Sequence, residues 1–202
     1  MTELVWYAAY GSNLSRARFY CYLHGGCPQG AGYDFPGCRD QSAPLEDRPF
    51  EIAPELAFGG TSRTWGGGVA FVDPDSTNGA RARLYLITAD QLADVVAQEN
   101  WLEPGSVTID EFEKETDLGA DRTYGLVVPL GELEAKPVVT FTQHRGAALA
   151  RPSIAYLQHI AQGLSESHAL SIEEICAFLG TARGVDPVLS EDELRTLSSL
   201  LE

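Results

Sequence analysis

One carboxylate in the sequence occupies a position that suits general-base chemistry. Leu92, Val95 and Val96 mark the apolar face of a predicted helix, and Glu99 follows them at helical spacing, so it projects from the same face. A carboxylate on an apolar face loses hydration, which raises its pKa toward the value that a general base needs at neutral pH. The alternative is a glutamate at a frayed helix end, turned back to solvent or held in a salt bridge.

A tight loop near the start of the chain is the second feature that could do chemistry. The apolar run from Leu4 to Tyr10 predicts a buried strand, which Gly11, Ser12 and Asn13 bring to an end. Gly11 permits close backbone approach or a positive φ angle. Free N–H groups at the start of a following helix can bind a carboxylate or an oxyanion. Ser12 does not lie in a Gly-x-Ser-x-Gly elbow, so we interpret its hydroxyl as a cap or a ligand contact rather than a nucleophile.

Three cysteines and a histidine are concentrated in one Gly- and Pro-rich part of the chain. Cys21, His24, Cys27 and Cys38 are the residue types that bind structural zinc. Their spacing matches no known zinc motif, and Cys21 falls within a predicted helix. The alternative, a group of reduced thiols in a cytosolic protein, therefore stays open beside the metal site.

The elements that must position these residues alternate between strands and capped helices. Ser12 or Asn13 is expected to cap a helix over residues 14–23, and a capping-box pattern from Thr88 predicts a helix over residues 89–100. Pro152 suits the first turn of a later helix, and two more capping boxes begin at Ser171 and Ser190. Strands are predicted at residues 4–10, 50–58, 68–72, 80–87, 122–129 and 137–142.

Composition limits the functions that are plausible. The chain has 202 residues, and we expect one domain over 1–202, with a long irregular loop at 24–49 and a helical extension at 166–202. The net charge of -15 repels phosphate backbones and anionic lipid headgroups, which disfavours nucleic-acid and membrane partners. The sequence has neither a secretory signal pattern nor a long apolar run, so a cytoplasmic location is expected.

The motifs occur in the order found in one known family. The sequence resembles the γ-glutamylcyclotransferase-like superfamily through an apolar strand ending in Tyr-Gly-Ser-Asn-Leu at 7–14 and a Thr/Ser-rich segment leading to Trp and Gly at 61–70. It is also similar in the strand at 83–87, the helix ending in Gln-Glu at 98–99, and a Pro-Ser-x-x-Tyr helix near 151–157. The resemblance covers most of residues 4 to 165.

This resemblance implies a fold, a reaction and a set of site residues. The implied fold is α+β, a small closed β-barrel flanked by helices, here with extra C-terminal helices. The implied reaction cyclises a γ-glutamyl amide to 5-oxoproline and releases an amine or amino acid. Glu99 would be the general acid/base, and ring closure would need no cofactor. The residues implied to bind substrate are Tyr10, Gly11, Ser12 and Asn13, through backbone N–H groups, and Tyr156 as a wall of the site.

The resemblance also implies partners and leaves departures to explain. A small-molecule γ-glutamyl substrate is the expected partner, and a homodimer is an alternative that the sequence leaves open beside a monomer. Residues 24–49 have no recognised counterpart, and Trp101 stands where glycine is expected. Two alternative functions remain: a non-catalytic module that binds small molecules or regulates, and a hydrolase in which Glu99 activates water.

Overall fold

The computed structural model describes residues 3–28, 30–185 and 190–199. Within this part of the chain, an α+β fold combines a six-stranded mixed sheet with a two-stranded hairpin and five α-helices. The strands are β1 (Leu4–Ala9), β2 (Glu46–Ile52), β3 (Glu55–Gly59), β4 (Val69–Asp73), β5 (Ala80–Thr88), β6 (Thr116–Asp117), β7 (Leu126–Leu133) and β8 (Lys136–Thr142). The helices are α1 (Arg16–His24), α2 (Ala89–Glu99), α3 (Ile154–His168), α4 (Ile172–Thr181) and α5 (Glu191–Ser198).

Strand β1 lies inside the large sheet and is apolar on both faces. The strand order is β2-β5-β1-β8-β7-β6, and β1 pairs antiparallel with β5 and parallel with β8. Trp6 and Ala8 face the core that contains α3, while Val5, Tyr7 and Ala9 face the core that contains α1 and α2. Because both faces are covered, β1 reads as a continuous apolar run, and its end is fixed between two packed layers.

The closed β-barrel implied by the resemblance is wrong for this chain, because the sheet does not close. The β3–β4 hairpin forms a separate sheet beside the large one. The Thr142 hydroxyl accepts from Val72 N at 3.0 Å and donates to Val72 O at 2.6 Å. The Tyr124 hydroxyl donates to Ala70 O, and the Tyr156 hydroxyl accepts from Ala70 N. Backbone groups of β4 that a neighbouring strand would satisfy are thus bonded to side-chain hydroxyls.

Helix α2 forms as its sequence predicts. The Thr88 hydroxyl accepts from Gln91 N while the Gln91 side chain accepts from Thr88 N, so the capping box is complete. Leu92, Val95 and Val96 are fully buried against the sheet. The predicted apolar face therefore packs inward, and the C-terminal end of α2 reaches the region beside the first loop.

The predicted start of α1 is wrong by two residues. Residues 12–14 form a single 3-10 turn, and the α-helix begins at Arg16 with Ser15 at its N-cap. Neither Ser12 nor Asn13 caps the helix. The tight turn instead directs the Asn13 side chain toward the end of α2.

The later helices follow their capping signals, with one shift. The expectation that Pro152 lies in the first turn of α3 is wrong: α3 begins at Ile154, Ser153 is its N-cap and accepts from Tyr156 N, and Pro152 precedes the cap. The predicted boxes at Ser171 and Ser190 are both complete. In α3, Gly163 lies against the first loop so closely that a Cβ there would come within 2.3 Å of Leu14 atoms. The described helices include none that is long and apolar enough to cross a membrane.

Two strand predictions and one loop prediction need correction. The strand expected at 122–129 is β7, which runs over Leu126–Leu133. The expected strand at 50–58 is two strands, β2 and β3, with a break at residues 53–54, so the pattern merged neighbours. The irregular loop expected at 24–49 ends earlier, because residues 46–49 pair with β5.

The remaining loop is attached to α2 by a buried carboxylate. Asp94 is fully buried and accepts from Arg39 N at 2.8 Å, Arg39 Nε at 3.0 Å and Gly105 N at 2.7 Å. These bonds fix two loops that flank the candidate site.

Candidate active site

The carboxylate of Glu99 meets the turn that follows β1. Asn13 Nδ2 donates to Glu99 Oε1 at 2.9 Å, and the same amide lies 3.2 Å from the Tyr7 hydroxyl. Glu99 is partly buried, in the last turn of α2. The two sequence features that suggested chemistry, 86 residues apart in the chain, are therefore in direct contact.

The surroundings of Glu99 favour a carboxyl group that can take up a proton. Burial raises the pKa of Glu99 above the usual range of a glutamate. The positive charge of Arg18 and hydrogen bonding to Tyr22 and Asn13 oppose part of this rise. The group thus combines a raised pKa with donors that stabilise its ionised form, as a general base requires.

Arg18 and Tyr22 are site residues that the sequence analysis did not identify. The Arg18 guanidinium is buried, donates from Nη2 to the Tyr22 hydroxyl at 2.6 Å, and stacks 4.3 Å from the Tyr22 ring centroid and 4.7 Å from that of Phe35. Arg18 Nε and Nη1 have no hydrogen-bond acceptor among the described residues. The spacing of four between Arg18 and Tyr22 is visible in the sequence, but Phe35 comes from the long loop.

The four loop residues expected to bind substrate lie together at the inner part of the site. The hydroxyl of Tyr10 donates to Phe141 O at 2.7 Å, which holds its ring against the sheet. Gly11 has a φ of -102°, so close approach, not positive φ, explains the glycine. A Cβ there would lie 3.2 Å from both Ala70 Cβ and the Tyr156 hydroxyl. The backbone N–H groups of Ser12 and Asn13 have no acceptor in the described part of the chain.

Tyr156 lines the pocket beside Glu99 and connects α3 to the hairpin. Its buried hydroxyl accepts from Ala70 N at 3.2 Å and contacts the Ser12 side chain. Tyr124 holds the other backbone group of Ala70. Burial raises the pKa of both phenols, with the negative charge of Glu99 adding to the rise. They therefore remain neutral hydroxyls at physiological pH.

Glu99 lies where two parts of one pocket meet. The inner part of this pocket is lined by the first loop and by Tyr7 and Phe141. The outer part is lined by residues of α1, by the segment 61–65 and by Trp101. Both parts share Ser12, Glu99, Tyr124 and Tyr156. A substrate whose reacting bond lies beside Glu99 would extend in both directions.

Gln98 fixes the position of the neighbouring glutamate. Its side chain accepts from Gly37 N at 3.2 Å and donates to Tyr22 O at 3.0 Å. One buried amide thereby joins α2 to α1 and to the long loop. The loop, expected to be an insertion without a known role, supplies part of the wall of the pocket.

The four residues considered as zinc ligands are not gathered at one point. The Cys21 thiol contacts Ala17 O, the exposed Cys27 thiol contacts Ala31 O, and buried Cys38 contacts Gln91 O. The described residues contain no group of three or more His, Cys, Asp or Glu side chains that could hold a metal ion. Burial, with the negative charges of Asp94 and Asp40 adding to its effect, raises the pKa of the Cys38 thiol to about 12.

Comparisons with known proteins give one curated relative. No protein-family model matches the chain. The chain is 33% identical over 202 residues to histone deacetylase 5 of Arabidopsis thaliana, a match that covers 88% of this chain. The chain spans only 30% of the length of that plant protein. The deacetylase activity in the name therefore describes the plant protein and is not assigned to this chain.

Solved structures agree with the fold that the motifs indicated. A γ-glutamyl cyclotransferase superposes with a TM-score of 0.56 at 18% identity, covering 98% of this chain and 99% of that chain. An uncharacterised human protein superposes with a TM-score of 0.54 at 19% identity, covering 96% and 98%. At these identities the likeness shows the architecture alone. This chain therefore has a γ-glutamylcyclotransferase-like fold, with an open sheet in place of a closed barrel.

Proposed function

We propose that this chain is a γ-glutamylcyclotransferase-type enzyme, which cyclises a γ-glutamyl amide to 5-oxoproline and releases an amine or amino acid. The observation that carries the proposal is the contact between Glu99, a carboxylate with a raised pKa, and the amide-rich turn after β1. The fold found in a γ-glutamyl cyclotransferase adds support.

The first step forms the ring. Glu99 removes a proton from the α-ammonium group of the substrate, and the free amine attacks the γ-carbonyl carbon of the same molecule. A new C–N bond forms, and the carbonyl oxygen becomes an oxyanion. The unpaired N–H groups of Ser12 and Asn13 are the donors available to this oxygen.

The second step breaks the original amide bond. The tetrahedral intermediate collapses when protonated Glu99 gives its proton to the departing nitrogen. The ring nitrogen loses its second proton to Glu99, which passes it to the released amine. The products are 5-oxoproline and the amine in its ammonium form, and Glu99 is again a carboxylate. Because the nucleophile and the carbonyl belong to one molecule, orientation and proton transfer are the main tasks of the protein.

Neutral tyrosines around Glu99 suit two further needs of the reaction: no second negative charge beside the base, and little water beside the reacting amide. Tyr7, Tyr10, Tyr22, Tyr124 and Tyr156 surround Glu99, and burial raises the pKa of each phenol. Their hydroxyls add no competing negative charge, and their rings restrict water beside the reacting amide.

The test is an assay of product identity with purified protein. γ-Glutamyl dipeptides and γ-glutamyl amines are incubated with the chain, and 5-oxoproline and glutamate are measured by mass spectrometry. We expect 5-oxoproline, and the Glu99→Gln variant should lose about 10²- to 10⁴-fold in kcat. Glu103→Gln, which changes an exposed carboxylate near the end of α2, serves as the matched control.

Three outcomes would contradict the proposal in different ways. Activity that survives Glu99→Gln removes Glu99 from the role of base. Glutamate in place of 5-oxoproline identifies a hydrolase. Stabilisation of the protein by these ligands without turnover identifies the non-catalytic binding module.

A further inference from the structure

Trp101 adopts a backbone conformation that favours glycine. It follows the C-cap of α2 with a φ of 60°, in the left-handed region, where a glycine commonly ends a helix. A bulky residue is held there at a conformational cost. Backbone geometry does not account for an indole at this position, so the reason must lie in what the side chain contacts.

The Trp101 side chain lies at the mouth of the outer part of the pocket. It is 38% exposed, and its ring centroid is 4.9 Å from that of Tyr33, which is 44% exposed. Tyr33 also packs edge-on against Phe35, a wall of the same pocket. Two exposed aromatic rings thus continue the pocket wall outward, and one of them comes from the long loop.

A positive charge lies beside these rings. The Arg63 guanidinium is 5.7 Å from the Trp101 ring centroid and also lines the outer part of the pocket. No carboxylate in the described part of the chain lies within ion-pair distance of Arg63. In a chain with a net charge of -15, an arginine without an acidic partner at the mouth of a pocket is available to an anionic ligand.

We propose that Trp101, Tyr33 and Arg63 form a subsite for the leaving group, selective for an amino acid with an aromatic side chain and a free carboxylate. The inference rests on the proposed cyclotransferase function. The γ-glutamyl group would fill the inner part of the pocket and the scissile amide would lie beside Glu99. The departing residue would then extend outward, with its ring on Trp101 and its carboxylate at Arg63.

Four substrates distinguish the contribution of the ring contact with Trp101 from that of the carboxylate contact with Arg63. γ-Glutamyl-phenylalanine carries both the ring and the carboxylate, and γ-glutamyl-phenethylamide carries the ring alone. γ-Glutamyl-alanine carries the carboxylate alone, and γ-glutamyl-methylamide carries neither. We expect the lowest KM for γ-glutamyl-phenylalanine, and each lost feature should raise KM by about tenfold or less.

Two variants assign the selectivity to the named side chains. Trp101→Gly suits the φ of this position, and it should reduce the preference for the phenylalanyl over the alanyl substrate by about tenfold. Arg63→Gln should reduce the preference for the phenylalanyl substrate over phenethylamide and should remove the salt dependence of that preference. Arg81→Gln is the matched control, because the Arg81 guanidinium also lies over an aromatic ring, that of Phe178, and Arg81 is not among the residues that line this pocket.

The outcomes distinguish failure of the subsite from failure of the enzyme. Equal KM values for all four substrates, with 5-oxoproline formed from each, would overturn the subsite and leave the proposed function intact. Selectivity that both variants retain would also overturn it. If no substrate yields 5-oxoproline, the proposed function fails and the subsite proposal fails with it.

Discussion

Asn13 and Glu99 are joined by a hydrogen bond of 2.9 Å from the side-chain amide to the carboxylate. The bond ties the turn after β1 to the end of α2, and Asn13 also lies 3.2 Å from the Tyr7 hydroxyl. The base and the backbone donors therefore keep a fixed relation to each other. In the proposed reaction, this relation aligns the proton acceptor with the position where the oxyanion forms.

Asn13→Ala should impair the reaction more than it impairs the fold. Removal of the amide leaves Glu99 with one donor fewer, so the pKa of Glu99 rises and its orientation loosens. We expect kcat/KM at neutral pH to fall about tenfold. The measurement is the pH profile of 5-oxoproline formation. An unchanged profile would show that the bond does not hold the base in its active form.

Arg18→Met should move the acidic limb of the pH profile to higher pH. Arg18 lowers the pKa of Glu99 against the effect of burial, so loss of the guanidinium raises that pKa further. The base works in its ionised form, and activity is lost as pH falls through its pKa. Arg16→Met is a suitable control, because Arg16 is more exposed and pairs with Asp47 away from Glu99. If Arg16→Met shifted the acidic limb as far as Arg18→Met does, the role of Arg18 in lowering the pKa of Glu99 would be contradicted.

Glu99→Gln should stabilise the folded chain at pH 8 while it removes activity. The folded pKa of Glu99 is raised, so ionisation of this group destabilises the folded state as pH increases through that pKa. Below the pKa of the unfolded carboxyl, near 4.3, both states are protonated and the benefit of the substitution disappears. Thermal unfolding of wild type and variant between pH 4 and pH 8 tests this. A variant less stable than wild type at pH 8 would contradict it.

Asp94, five residues before Glu99 on the same helix, should matter for stability. Its buried carboxylate accepts from the backbone of Arg39 and Gly105, so Asp94→Ala leaves these N–H groups unpaired and should cost about 3 kcal/mol. Asp90→Ala, an exposed residue of α2 at 3.9 Å from Arg39, should cost much less. Urea unfolding of both variants measures the difference. Similar losses would refute the anchoring role.

Local sequence signals predicted the parts of the site that depend on short-range physics. The spacing of Val95, Val96 and Glu99 follows from the helical repeat, and the capping box at Thr88 fixes where α2 begins. These elements form as the sequence predicts because their determinants lie within a few residues of one another. The first loop was predicted for the same reason.

Local sequence signals could not predict features that depend on contacts between residues far apart in the chain. The hydrogen bond from the Thr142 hydroxyl to Val72 O joins residues that are 70 positions apart. No local sequence pattern shows whether β4 bonds to such a side chain or pairs with another strand to close a barrel. The buried position of Arg18 depends on Phe35, which belongs to the irregular loop. The strand prediction at 50–58 failed because apolar residues continue across the break between β2 and β3.

Attachment of the hairpin through hydroxyl groups affects how the site can adapt. The contacts of Thr142, Tyr124 and Tyr156 with β4 are individual bonds, each contributing about 1 kcal/mol, not a cooperative ladder. A sideways displacement of β4 would exchange these phenol and threonine contacts, and would strain the backbone bonds of the hairpin to residues 148–151 and 183, while every rung of the large sheet stays intact. The wall next to Glu99 belongs to the hairpin and the base belongs to α2, so a shift of the hairpin would reshape the cavity without breaking the strand pairing beneath the carboxylate.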